Sequence, residues 1–180
     1  NLRGLSPGYD WYTAEARANR DLNVSQEDVT FSANRLPPPA ELRRLIEVLD
    51  GTEYPILVHC KAGADRTGLV SAAYLLLHTD TSLSEARRQL WPVYGHFRFG
   101  RTAAMDDFYD RYEAWLNAEG VDHSRERFRR WATEVYVAGP GKSELTWLDP
   151  VPNPVPADKP FSVRLRAVNR SNEAWEFRPG

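Results

Sequence analysis

The chain has 180 residues, of which 42% are hydrophobic and 27% are charged, and its net charge is −2. This length fits one ordinary domain with a small appendage, and the apolar fraction is sufficient for a packed core. The near-neutral charge excludes a global field that would recruit nucleic acid or a membrane surface, so any attraction of anions must be local.

The sequence of residues 1–51 predicts short extended segments and two helices. Residues 1–8 look like the end of a strand and a turn, and residues 9–19 predict a helix with Asp10 as its N-cap. Residues 21–30 predict a short strand. A proline run then leads into a helix that ends near Gly51, with its apolar stripe formed by Leu42, Leu45, Ile46 and Leu49.

The centre of the sequence joins two apolar segments through a short loop. Residues 55–58 predict a buried strand, and residues 69–77 are apolar almost all round, which predicts a buried helix. In such a loop the backbone N–H groups converge, and the following helix points its positive end at the same spot. We therefore predict an anion-binding loop formed by Lys61, Ala62, Gly63, Ala64, Asp65 and Arg66.

Each chemically active position of this loop has a predicted role. Cys60 would be a nucleophilic thiolate with a pKa below that of a free thiol. Gly63 permits a positive φ or a close backbone approach, and Arg66 can bind two phosphate oxygens at once. The Thr67 hydroxyl would donate to the Cys60 sulfur. The ring of His59 would support the loop by holding one of its carbonyl groups.

The next segment predicts a capping box, a loop and two helices. Ser82 and Glu85 open a short helix that runs to Leu90. Residues 94–101 form a basic, aromatic loop. Helices are predicted over residues 102–119 and 124–135. Their apolar stripes consist of Met105, Phe108, Tyr112 and Trp115, and of Phe128, Trp131, Ala132 and Val135. The second helix also carries Arg125, Arg127, Arg129 and Arg130, which form either a solvated face or a surface for inositides or a partner.

The composition changes after residue 138, which predicts a domain boundary. Residues 1–138 form the main domain, residues 139–160 a Pro-rich linker, and residues 161–180 the start of a β-sandwich-like module. Residues 161–167 alternate as in a half-exposed strand, and residues 174–177 predict a second one. Two strands do not bury a sheet face alone, so this β segment is expected to contact another domain or a ligand. Its pattern faintly resembles carbohydrate-binding β-sandwiches.

The string from His59 to Gly68 resembles the signature of cysteine-dependent protein-tyrosine and dual-specificity phosphatases, chiefly their atypical bacterial and fungal branches. The resemblance covers residues 1–136. It implies an α/β fold with a central, mostly parallel sheet flanked by helices, whose first strand is incomplete here. It also implies a cysteinyl-phosphate intermediate on Cys60, phosphate binding by the loop amides and Arg66, and no metal or other cofactor.

The resemblance leaves the general acid open between two carboxylates. Members of the family usually carry an Asp on a loop before the Cys, and Asp28 lies near that spacing. Asp65 lies inside the anion-binding loop, as in some lipid-active relatives, and we favour it. In the family the segment corresponding to residues 94–101 lies near the catalytic loop. Arg98, Arg101 and His96 are therefore expected to contact substrate, with packing of this loop on the core as the alternative.

The predicted function is hydrolysis of phosphomonoesters, with a phosphorylated molecule as the partner. The substrate is either phosphotyrosine or phosphoserine in proteins, or an inositol phosphate or phosphoinositide. The alternative is a catalytically silent phosphate-binding module or scaffold. One Cys excludes a disulfide framework and suits a reducing compartment, so a cytoplasmic location is expected, with an upstream signal or anchor left open. No apolar stretch has the length of a membrane span.

Overall fold

The computed structural model describes residues 1–139, 143–149, 162 and 164–169. The chain divides into two compact units, Asn1–Ala138 and Gly139–Gly180. No helix in these described ranges is both long and apolar enough to cross a bilayer. The α-helices of the first unit are α1 Asp10–Asp21, α2 Pro39–Gly51, α3 Asp65–His78, α4 Leu83–Ala86, α5 Ala104–Glu119 and α6 Arg125–Arg130. Three short 3₁₀ helices, Arg87–Leu90, Pro92–Tyr94 and Gly100–Ala103, lie between α4 and α5.

Helices α2 and α5 confirm their predictions from apolar periodicity and end signals. Pro39 occupies the first turn of α2, where a missing N–H costs nothing, and the whole predicted stripe of this helix is buried. Helix α5 ends at Gly120, which has a φ of 66° and so adopts the left-handed conformation that glycine tolerates best.

The capping box of α4 is also confirmed, because Ser82 and Glu85 bond each other's backbone N–H groups. The helix continues only as the 3₁₀ helix Arg87–Leu90. In the same way, α6 is capped by Ser124 and changes after Arg130 into a π-helical turn, Trp131–Val135. The wider turn shifts the helical register, and Val135, predicted to be buried, is 39% exposed.

Two predictions near the start of the chain are wrong. Asp10 is the first residue of α1 and not its N-cap; Tyr9 is the N-cap, and its carbonyl accepts from the N–H groups of Tyr12 and Thr13. Residues 21–30 do not form a strand. Asn23 has a φ of 56°, which turns the chain there, and only Thr30 makes an isolated antiparallel bridge, with Arg3.

A central, mostly parallel sheet is not confirmed in residues 1–139. The extended segments do lie side by side: Leu2 donates to the His59 carbonyl at 2.9 Å, and Phe31 donates to the Leu2 carbonyl at 3.3 Å. The contacts cover too few residues for a ladder. Residues 55–58 are extended but not a buried strand, since Leu57 is 86% exposed and Pro55 has no N–H to donate.

One continuous core holds the first unit together. Helix α3 lies within it and confirms the prediction of a helix buried nearly all round, with Gly68, Leu69, Val70, Ala72, Ala73, Leu76 and Leu77 buried. Aromatic rings from α5, α6 and the following turn pack edge-to-face and stacked around Phe108 and Phe128. This core fixes both ends of α3, and therefore the loop that precedes it.

The second unit contains one antiparallel pair, β1 Ser143–Trp147 and β2 Leu165–Asn169, with Ser143 opposite Asn169 and Trp147 opposite Leu165. Strand β2 overlaps the predicted strand 161–167, whereas β1 lies inside the stretch predicted as a linker. The exposed guanidinium of Arg164 and the carboxylate of Asp149 form an ion pair at 2.8 Å. The Pro-rich part of the predicted linker, residues 150–160, and the predicted strand 174–177 lie outside the described residues.

Candidate active site

The site is built where the loop 60–64 enters α3. Cys60 is partly buried at the end of the extended segment, and the helix begins five residues later at Asp65. Gly63 has a φ of 75°, the left-handed conformation predicted from its position. The Ala64 carbonyl accepts from the Gly68 N–H at 2.8 Å, which closes the first helical turn. The earlier N–H groups of the turn are thereby left to face the sulfur.

The surroundings of the Cys60 sulfur favour the thiolate. Burial raises the pKa of this thiol, but hydrogen bonds from the Thr67 hydroxyl and from the backbone N–H groups of Ala62, Thr67 and Gly63 outweigh it. The net effect is a pKa below the ordinary thiol value of 9.0. A thiolate held by converging N–H donors at a helix N-terminus is a nucleophile beside a ready-made oxyanion site.

The Thr67 hydroxyl has no other use in the described part of the chain. Its oxygen is buried and meets no partner of strict hydrogen-bond geometry there. We assign it to Cys60, because the Thr67 side chain is among the causes of the lowered thiol pKa. The role of Thr67 stays a prediction.

Arg66 is fixed by the loop that follows the first extended segments. One terminal nitrogen donates to the Phe31 carbonyl at 3.3 Å. Its Nε is buried and has no partner among the described residues. A buried guanidinium with an unused donor is costly unless a ligand supplies the acceptor. The arrangement therefore suits an anion that is bound by Arg66 and the loop together.

Asp65 belongs to a chain of three side chains that spacing alone did not predict. Its Oδ1 contacts His96 Nδ1 at 2.8 Å, and His96 Nε2 contacts Asp106 Oδ2 at 2.8 Å. His96 is fully buried. Asp65 therefore does not pair with Arg66, Arg3 or Arg98. The sequence carries no signal for Asp106, an acidic residue at a buried position of α5.

Asp28 has a different environment from Asp65. Its carboxylate accepts from Tyr12, from the side chain of Asn1 at 2.7 Å and from Gln26 at 3.3 Å. These donors use both carboxylate oxygens. The arrangement ties α1 to the start of the chain.

The remaining predicted contacts differ from expectation. His59 Nε2 meets the Glu15 carboxylate of α1 at 2.5 Å, where a loop carbonyl was expected. His96 is enclosed between carboxylates, so a direct substrate contact by this residue is wrong. Arg98 bonds Asp110 at 2.6 Å. Arg101 is exposed in the 3₁₀ helix Gly100–Ala103, and Lys61 is exposed in the loop itself.

Gly68, which ends the signature, allows α3 to pack closely against the 3₁₀ helix Arg87–Leu90. A Cβ on Gly68 would lie 2.5 Å from the Gln89 carbonyl oxygen, which belongs to the 3₁₀ helix Arg87–Leu90. The loop 94–101 also approaches the site, because a Cβ on Gly95 would lie 3.6 Å from the Ala64 Cβ. The prediction that this loop lies near the catalytic loop is confirmed.

The basic helix is largely neutralised. Arg129 holds Asp50 of α2 through two bonds of 2.6 and 2.9 Å, and Arg125 pairs with Asp80 at 3.1 Å. Arg127 donates to a backbone carbonyl, and Arg130 approaches Glu134 at 3.8 Å. These contacts favour the solvated face over a surface for inositides.

The geometry places a partly buried thiol and several backbone donors together at the N-terminus of α3, and comparison with known proteins shows which sequences are similar. Residues 12–85 match the model of a tyrosine phosphatase family. The human dual specificity protein phosphatase CDC14C is 31% identical over 71 residues, 39% of this chain and 16% of the relative. The probable phosphatidylinositol 3,4,5-trisphosphate 3-phosphatase TEP1 of Saccharomyces cerevisiae is 35% identical over 77 residues, 38% of this chain and 17% of the relative.

A longer match is the tyrosine-protein phosphatase cdcA of Emericella nidulans, 28% identical over 152 residues, which are 82% of this chain and 22% of the relative. No solved structure matches the chain. The chain thus spans less than a quarter of the length of these relatives. These matches support a place for the matched region in the cysteine-dependent protein-tyrosine and dual-specificity phosphatase superfamily.

The described residues contain no group of three or more His, Cys, Asp and Glu side chains arranged to hold a metal ion. In the Asp65–His96–Asp106 chain the two carboxylates lie against different nitrogens of the ring, and therefore do not converge on one point.

Proposed function

We propose that the chain hydrolyses phosphomonoesters through a covalent cysteinyl-phosphate intermediate on Cys60. The observation that carries this proposal is the set of hydrogen bonds around the sulfur, which lowers the pKa of the thiol despite its burial. The thiolate is thereby favoured over its ordinary level at the end of a helix that attracts the phosphate.

The reaction has two steps. In the first, the Cys60 sulfur attacks phosphorus, the bond to the leaving oxygen breaks, and that oxygen takes a proton from an acid. Arg66 and the N–H groups of the loop hold the other phosphate oxygens and stabilise their charge. In the second step water attacks phosphorus, gives a proton to the same group, and the thiolate leaves.

The acid in this proposal is Asp65. Its carboxyl group is at the first turn of α3, inside the phosphate loop, and its second oxygen has no hydrogen-bond partner within the described ranges. Asp28 is less suitable because its oxygens already accept three hydrogen bonds. The pH–rate profiles of Asp65→Asn and Asp28→Asn test this assignment. We expect the limb that reports the acid to disappear only in Asp65→Asn; its loss only in Asp28→Asn would overturn the assignment.

The substrate is proposed as a class and not as one compound. The relatives include a dual specificity protein phosphatase and a probable inositide phosphatase, so both chemistries enter the proposal. Exposed Lys61 and Arg101 favour an anionic substrate, whereas the paired arginines of α6 do not add a polyphosphate surface. A panel of phosphopeptides, phosphoinositides and inositol polyphosphates, with Cys60→Ser as the blank, would identify the class.

The decisive test separates an enzyme from a phosphate-binding module. Wild type should release p-nitrophenol from p-nitrophenyl phosphate, and Cys60→Ser should lose this activity while still binding phosphate. Removing a catalytic nucleophile of this kind should lower kcat by about 10⁴-fold or more. A wild type that binds phosphate but releases no product would favour the silent binding module or scaffold.

A further inference from the structure

We propose that His96 and Asp106 form a buried proton store for Asp65, in which Asp106 is a positioning residue that orients the imidazole. The inference rests on the proposed function, because it needs Asp65 as the acid. The juxtaposition that carries it is a buried imidazole with one carboxylate against each ring nitrogen, one of them inside the phosphate loop.

The geometry leaves little freedom to the imidazole. Both contacts are 2.8 Å, and His96 is 0% exposed, so water does not replace either partner. The three residues come from separate elements, since Asp65 begins α3, His96 lies in the loop 94–101, and Asp106 lies in α5. Asp106 is nearly buried, whereas the Asp65 side chain is 23% exposed and so offers the open end of the chain.

Two nitrogen–oxygen contacts require two protons among the three groups. A neutral imidazole supplies one N–H, so the second proton resides either on the other nitrogen or on a carboxyl group. Imidazolium with two carboxylates and neutral imidazole with one carboxylic acid have the same proton number and the same charge of one negative unit. A proton can therefore pass between His96 Nδ1 and Asp65 Oδ1 without changing the charge of the group.

This exchange fits the proposed reaction. In the first step the leaving oxygen takes a proton from Asp65, the three groups together lose one proton, and the contact between Asp65 and His96 holds no proton until the second step. In the second step the proton released by the attacking water returns to Asp65, which restores the initial state. Between turnovers His96 shares that proton inside the core. The Asp106 carboxylate keeps the proton on Nε2, so that Nδ1 is the nitrogen that exchanges with Asp65.

The arrangement also limits negative charge beside a phosphate site. A doubly ionised Asp65 and Asp106 pair with neutral His96 would carry two negative charges close to an anionic substrate. Retention of the second proton until the first step reduces this to one while the substrate binds, which lowers the repulsion between the acid and the phosphate. Replacing Asp106 therefore changes the proton held by the imidazole as well as its orientation.

The test uses a series of aryl phosphates whose leaving groups range from p-nitrophenolate to phenolates of high basicity. In Asp106→Asn we expect kcat to fall about 10- to 100-fold for the most basic leaving groups, because acid catalysis supplies factors of this order. The fall should be several-fold smaller for p-nitrophenyl phosphate, which needs little protonation. KM should change by less than about two-fold, because Asp106 does not touch substrate.

Matched variants make the result specific. Asp107→Asn alters the adjacent, exposed carboxylate of α5 and should give the wild-type dependence on the leaving group. Asp106→Glu keeps the carboxylate and should recover part of the lost rate. If Asp106→Asn does not fold, Asp106→Glu still tests whether the position of this carboxylate affects the rate. Nitrogen NMR of the histidine rings, with His96→Asn for assignment, should show Nε2 protonated in wild type and the ring's proton distribution altered in Asp106→Asn.

Two failures are distinguishable. An active wild type whose leaving-group dependence and His96 signals are unchanged by Asp106→Asn would overturn this inference and leave the proposed function intact. A wild type that hydrolyses none of the aryl phosphates would overturn the proposed function itself, and the proton store with it.

Discussion

Burial alone would raise the pKa of the Cys60 thiol, because a thiolate loses hydration when it leaves water. The opposite shift arises because Ala62, Gly63 and Thr67 all direct donors at one sulfur. A folded pKa below the free value means that the thiolate stabilises the folded state above that free value. This contribution is lost as the pH falls through the folded pKa. The residues that lower the pKa of Cys60 therefore make a pH-dependent contribution to stability.

Thr67→Val should move the pH midpoint of Cys60 alkylation by iodoacetamide upward. The substitution keeps the shape of the side chain and removes the hydroxyl that donates to the sulfur, so less thiolate is present at neutral pH. We expect alkylation at neutral pH to slow several-fold. Thr133→Val is the control. It removes a hydroxyl that donates to the Arg129 carbonyl, in a helical segment that does not contain Cys60. A midpoint that is the same in wild type and Thr67→Val would show that the hydroxyl does not act on the sulfur.

At the scale of elements, single polar side chains join segments that lack a sheet ladder. Asp28 connects α1, through Tyr12, to the first residue of the chain. Arg129 connects α6 to α2 through Asp50, and the same bonds hold the pKa of Asp50 below its ordinary value. Tyr109 donates to the Leu69 carbonyl and so connects α5 to α3. These contacts orient helices whose apolar faces are already buried.

Tyr12→Phe should lower the free energy of unfolding by about 1.5 kcal/mol at neutral pH, the usual cost of losing a hydrogen bond to a charged group. The bond to Asp28, followed by burial, raises the pKa of Tyr12 to about 12 from 10.0. A raised pKa favours the neutral phenol, so this stabilisation is present below pH 10 and is lost as the pH rises toward 12.

Urea unfolding at neutral and alkaline pH measures both effects. In Tyr12→Phe the alkaline loss of stability should be smaller than in wild type. Tyr9→Phe is the matched control, since Tyr9 is adjacent to α1 and exposed. Equal stability of wild type and Tyr12→Phe at neutral pH would contradict a structural role for the Asp28 bond.

For the whole molecule, local signals in the sequence were sufficient for most of the helices and for the backbone conformation of Gly63 in the loop before α3. Apolar periodicity predicted α2 and α5, a nearly continuous apolar run predicted α3, and the capping box predicted the start of α4. Each of these features is decided within a few residues of the chain. The positive φ of Gly63 and the donors at Cys60 likewise arise inside one short loop.

The features that prediction missed depend on residues far apart in sequence. Whether residues 55–58 form a strand depends on partners elsewhere in the chain, and among the described residues the backbone bond from Leu2 goes to the adjacent His59. Asp106 of α5 contacts His96 of the loop 94–101, and no spacing rule in the sequence links the two residues. Strand β1 lies in a stretch whose neighbours are rich in Pro and Gly, and its pairing with β2 is equally non-local.

A chain that ends at Ala138 should retain the stability and activity of the 180-residue chain. The buried core residues in the described part of the chain all belong to the first unit, so residues 139–180 supply none of them. We expect the same urea midpoint within error and the same kcat/KM for p-nitrophenyl phosphate. A chain that ends at Arg130 is the control, because it also loses the buried side chains Trp131, Ala132 and Tyr136 and should not unfold cooperatively. A large loss of stability in the chain that ends at Ala138 would mean that the second unit supports the first.

The absent side chain at Gly68 has an evolutionary consequence. Its space is occupied by the Gln89 carbonyl and the Leu90 side chain, neither of which meets phosphate in the proposed reaction. Selection for folding therefore keeps this glycine even when selection for turnover is relaxed. A descendant that had exchanged its nucleophile for an inert residue would still keep this glycine, so the glycine by itself does not indicate an active enzyme.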